Sequence, residues 1–107
     1  MGEGDVNLPN LSLGREQLAA FCRRHHIRKL SFFGSVLRRD FRPDSDVDVL
    51  VDFEPSAQVG YIAVAAAEME LSQLLGGRAV DLVTTKALHP AIRERVLTDA
   101  RVEYAEP

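Results

Sequence analysis

The stretch Val47 to Phe53 (VDVLVDF) constrains this chain of 107 residues more than any other segment. Its β-branched content predicts a core strand, bounded before by a loop over Phe41 to Ser45 (FRPDS) and after by Glu54, Pro55 and Ser56. Asp46 and Asp48 stand at i and i+2 around its start. In a strand such positions share a face, so the two carboxylates project side by side. That placement is costly unless a cation neutralises them.

The surrounding pattern supplies partners for such a strand. Leu18, Ala19, Phe21 and Cys22 recur at helical spacing and predict a helix from Arg15 to His25. Ile27 to Phe33 (IRKLSFF) reads as a strand closed by Gly34, with a brief helical turn over Ser35 to Arg39 after it. An Ala-rich helix from about Ala57 to Leu75 offers Tyr61, Val64, Ala65, Met69 and Leu74 as its apolar stripe, and Gly76 and Gly77 stop it. Arg78 to Thr84 (RAVDLVT) gives a third strand, and strand–helix–strand over this length fits a crossover connection. Leu88, Ile92 and Val96 mark a last helix beginning near Pro90, and Val102 and Tyr104 alternate in a short final strand. The expectation is an α/β (α+β) fold: a small mixed sheet of three or four strands flanked by helices. Residues 1–13 read as a flexible lead-in, with Leu8, Leu11 and Leu13 able to pack locally, and residues 14–107 as a single domain.

With 46% hydrophobic residues this length supports one compact core. Thirteen Lys and Arg against sixteen Asp and Glu give 13 − 16 = −3, which argues against generic DNA binding by a wholly basic surface. Cys22 is the only cysteine, so no intramolecular disulfide forms and a reducing, cytoplasmic setting is expected. No apolar run reaches the ~20 residues of a membrane span, and Met1 to Asn10 lacks the apolar centre of a signal peptide.

The net charge conceals an asymmetry. Arg23, Arg24, Arg28, Lys29, Arg38, Arg39 and Arg42 fall within twenty residues that hold one acid, Asp40; from Asp44 to Glu54 every charge is negative. Such blocks are commonly solvated faces. Here the basic block brackets Gly34 and Ser35, at the junction of a strand and a helical turn. Glycine allows a sharp turn and a close backbone approach, while free N–H groups and the Ser35 hydroxyl favour an anion, so the pair forms a phosphate seat. Asp81 lies between Val80 and Leu82 in an otherwise apolar strand, where an unpaired ionised group is expensive. If the third strand neighbours the second, Asp46, Asp48 and Asp81 converge as oxygen-only ligands suited to Mg²⁺. As a salt-bridged strand residue, Asp81 would need no metal.

Ten residues separate Ser35 from Asp46, giving G-S-x10-D-x-D, a spacing expected by chance about once in a thousand chains this short. The segment GSVLRRDFRPDSDVDVLV resembles the signature of the DNA polymerase β-like nucleotidyltransferase superfamily. The tail VDLVTTKALHPAIRERVLTDARVEYA resembles its minimal nucleotidyltransferase (MNT) members, commonly antitoxins paired with HEPN-domain toxins. The likeness spans roughly Leu30 to Tyr104.

What the resemblance implies is the polymerase β-like fold, ATP as substrate and two Mg²⁺ ions. Gly34 and Ser35 would hold the triphosphate, Asp46 and Asp48 would bind both ions, and Asp81 would share one. Arg38 and Asp40 match positions common in MNT motifs, with Arg38 a nucleotide-binding candidate. Arg39 departs from a frequent glycine, which leaves the loop geometry open. The implied reaction moves AMP from ATP to a hydroxyl, in the family a tyrosine of the HEPN toxin, which silences an RNase. Two other readings stand beside it: an antitoxin that acts by occlusion without catalysis, and transfer to a small molecule or RNA. A chain this small has no room for a separate acceptor-recognition domain, which points to a partner that supplies the acceptor. Lys86 could reach a phosphate but fits a surface lysine. His25, His26 and His89 lack metal-ligand spacing and read as surface or helix-end residues. Cys22 reads as a small buried hydrophobe.

Overall fold

A computed structural model describes residues 13–37 and 46–106, with positions 35 and 36 defined by backbone alone. Arg38, Asp40, the loop from 41 to 45 and the lead-in up to residue 12 lie outside the described residues.

The first helix, α1 (Arg15–Arg24), starts where the Gly14 amide donates to Gln17 Oε1 at 3.2 Å, and it buries Leu18, Phe21 and Cys22. His25 caps its end, and His26 takes φ 59° to swing the chain into β1 (Ile27–Phe33). Strand β2 (Val47–Phe53) runs antiparallel to β1. Helix α2 (Tyr61–Leu74) then crosses over to β3 (Val80–Thr84), which lies parallel to β2, as the crossover length predicts. Helix α3 (Pro90–Asp99) leads into β4 (Arg101–Ala105), antiparallel to β1. The sheet is mixed, with order β3-β2-β1-β4.

The core lies on one face of this sheet. Leu18, Phe21 and Cys22 of α1 and Ala67 and Leu71 of α2 share a cluster with Leu30 and Phe32 of β1 and with Val47, Val49 and Val51 of β2. Alternate residues of β2 therefore point at the helices, and Asp48, between two of them, points to the other face. Leu13 is buried in the same cluster.

Three contacts fix α2. Glu70 pairs with Arg24 and takes a 2.6 Å hydrogen bond from His25, tying α2 to the end of α1. Glu68 Oε2 accepts from the Leu82 amide of β3 at 2.9 Å. Leu71 and Ala67 supply the apolar contact.

The sequence reading of this helix needs correction. Of its expected stripe only Val64 and Leu74 pack against the core; Tyr61 is 95% and Met69 66% exposed, and Ala65 is exposed too. The buried face is instead the one bearing Ala67 and Leu71. Apolar residues surround most of this helix, so periodicity does not select a side. The last helix begins at Pro90 as expected, but Leu88 is buried and precedes it, Ile92 is half exposed, and none of its residues is fully buried. No helix among the described residues is long and apolar enough to cross a membrane.

Candidate active site

Strand pairing assembles the carboxylates. Asp48 and Asp81 are direct partners in the parallel β2–β3 ladder, so their side chains rise from adjacent strands on one face. Asp46 sits just before β2 and is exposed. The Val47 amide donates to the Ala79 carbonyl at 2.8 Å, which locks the entry of β2 against the entry of β3. All three acids therefore lie at the N-terminal end of the parallel pair.

The glycine turn reaches the same point from the other side. Phe33 pairs with Asp48 across the β1–β2 ladder, and Gly34 follows with φ +77°. A Cβ at Gly34 would overlap Asp48 Oδ2 and lie 3.3 Å from its Cγ. Only glycine suits both that backbone and that approach. The chain continues through a single 3₁₀ turn, Gly34–Leu37, which places the Ser35 backbone beside the acids; the Ser35 side chain lies outside what the structure describes.

Burial pushes the Asp48 carboxyl above its ordinary value, and the negative charges of Asp81 and then Asp46 raise it further. Among the described residues none of the three acids makes an ion pair. Nor do any three His, Cys, Asp or Glu side chains among them form a ready-made metal cage. The donor set is an open one of hard oxygens. It fits a cation such as Mg²⁺, which keeps waters and takes its remaining ligands from substrate phosphates.

Lys86 is exposed and lines a cleft with Val51 and Thr84, at the opposite end of β2 and β3 from the carboxylates. His25 and His89 are helix-end residues, the latter capping α3 by accepting from the Ala91 amide at 3.1 Å. Cys22 is fully buried, and its thiol is pushed up to about 12 by burial. Sequence reasoning missed Arg95 and Asp99 of α3, which line a cavity of about 300 Å³ together with Gly34. No local motif marks them.

A mixed sheet thus sets paired carboxylates against a glycine turn. The family described as "Polymerase beta, Nucleotidyltransferase" matches residues 16–106, and the chain belongs to that family. The protein is a nucleotidyltransferase. It is 40% identical over 76 residues to protein adenylyltransferase MntA of Thermococcus cleftensis, across 71% of this chain and 74% of that one. A solved structure described as a minimal nucleotidyltransferase shares 41% identity and a TM-score of 0.67, over 80% of this chain and 85% of the other. A complex from Shewanella oneidensis, of a tri-AMPylated HEPN toxin with its MNT antitoxin, shares the fold at 19% identity and a TM-score of 0.57, over 85% and 69% of the two chains.

Proposed function

We propose that this nucleotidyltransferase is an antitoxin that moves AMP from ATP, with Mg²⁺, onto a tyrosine hydroxyl of a HEPN-domain toxin in the cytoplasm. The register pairing of Asp48 with Asp81, beside Asp46 and against Gly34, carries this reading. The adenylyltransferase relative supports the reaction, and the MNT–HEPN complex supports the partner class.

Asp46, Asp48 and Asp81 would hold the divalent cations, which when bound neutralise the crowded carboxylates and the triphosphate. Gly34 lets the chain approach the phosphates, and the backbone N–H groups of the following turn, with the Ser35 hydroxyl, grip the β and γ groups. The acceptor oxygen bonds to the α-phosphorus as the bond from that phosphorus to the bridging oxygen breaks. Pyrophosphate leaves with that oxygen. Asp81, the exposed carboxylate of the ladder pair, would either ligate the ion that activates the acceptor, leaving the hydroxyl proton to water, or accept that proton itself.

Co-purification with the cognate HEPN chain, followed by intact mass measurement after ATP and Mg²⁺ are added, tests the proposal. One or more AMP additions mapping to a tyrosine are expected, absent in D46N and D48N. Full transfer by D48N overturns it. Toxin neutralised by D48N, with no AMP added by the wild type, replaces it with occlusion.

A further inference from the structure

The last turn of α3 is delivered to the glycine turn by strand pairing. Strand β4 begins at Arg101, which pairs with Phe32, so the residues just before it lie beside Phe33 and Gly34. Phe33, Gly34, Arg95, Val96 and Asp99 together line the cavity of about 300 Å³ noted above. Gly34 thus has the Asp48 carboxylate against it and itself lines the cavity that Arg95 and Asp99 share.

Two arginines of α3 do different work. Arg93 is half-buried and donates to the Leu88 carbonyl at 3.2 Å, holding the start of the helix. Arg95 is exposed and, among the described residues, makes no ion pair, although Asp99 lies one turn along the same helix and in the same cavity. A triphosphate held at Gly34 brings the negative charge that a free guanidinium matches bidentately.

We infer that Arg95 is a triphosphate-binding residue, reaching the β/γ end of the nucleotide from the cavity beside Gly34, and that Asp99 opposes it. The inference rests on the reading of Gly34 as the phosphate seat. It gives that seat a cation from the far end of the chain, independent of Arg38. The two side chains act with opposite sign: the guanidinium draws the phosphates in, and the carboxylate repels them.

Binding of ATP and of AMP to the full chain, each with Mg²⁺, tests it by calorimetry. R95A is expected to weaken ATP roughly tenfold and to leave AMP unchanged, since only ATP carries the β and γ groups. R95K recovers part of the loss, its ammonium restoring charge without the fork. D99N tightens ATP by about two- to fivefold. A structural role for this helix turn would move ATP and AMP together and lower the melting temperature in both variants. Unchanged ATP binding by R95A, equal losses for ATP and AMP, or weaker ATP binding by D99N each overturns the assignment while wild-type binding keeps the underlying site intact. A wild-type protein that binds no ATP overturns both.

Discussion

Replacing Gly34 by alanine tests the heart of the site, because the structure divides its cost into two parts. The backbone part comes from φ +77°, where an L-residue pays roughly 1–2 kcal/mol. The contact part comes from the new Cβ, which overlaps Asp48 Oδ2 and forces that carboxylate off its position, at roughly 0.5–1.5 kcal/mol for the rotamer alone. G34A is therefore expected to lose about 1.5–3.5 kcal/mol in urea unfolding, and to lose AMP transfer even where it remains folded. In a D48A background the second part vanishes, so the same substitution is expected to cost only about 1–2 kcal/mol. The double-mutant cycle reads the contact directly. Equal costs in the two backgrounds would refute the carboxylate contact, and a G34A protein as stable as the wild type would refute the left-handed turn as well.

Other outcomes follow from single features. The fold holds the Asp48 carboxyl above its ordinary 3.8, so ionisation costs stability as pH rises through the raised value. D48N, always neutral, is expected to melt above the wild type at neutral pH in chelator, with the gap closing as pH falls below that ordinary value; a lower melting temperature at pH 7 refutes the crowding. Burial pushes the Cys22 thiol up to about 12, so it stays protonated at pH 8, and the side chain is sealed. Labelling by a disulfide reagent is expected to track global unfolding, and native labelling at the speed of a free thiol would contradict it. L71A is expected to cost about 2–5 kcal/mol, whereas Y61S and M69S stay within about 0.5, measured as shifts in urea midpoint. The reverse order would restore the stripe drawn from the sequence.

The strands and the carboxylates were legible because their signals are local. VDVLVDF announces a buried strand by composition, and the placement of Asp46 and Asp48 needs only the two-residue repeat of a strand. Asp81 required one long-range fact, that β3 lies beside β2, and the crossover length supplied it. Helix α2 failed at the level of phase. With Tyr61, Ile62, Val64, Ala65, Ala67, Met69 and Leu71 spread around it, which side is buried depends on where Glu68 and Glu70 find partners, and those partners sit on β3 and α1. Arg95 was invisible for a similar reason. Its position beside Gly34 depends on the register of β4 against β1, between segments about seventy residues apart.

The hydrogen bond from the Leu82 amide to Glu68 also bears on how this protein meets others. Strand β3 is a border of the sheet, and a border strand carries backbone groups that invite an incoming chain to add a further strand. Here a helix side chain of the same domain already takes one of those amides at 2.9 Å, in the strand that holds Asp81. Association through backbone pairing is thereby discouraged at the strand where an intruder would most disturb the acids. At this border an incoming chain meets an amide already engaged one residue from Asp81, whereas β4 is the border on the other side of the sheet, away from the acids.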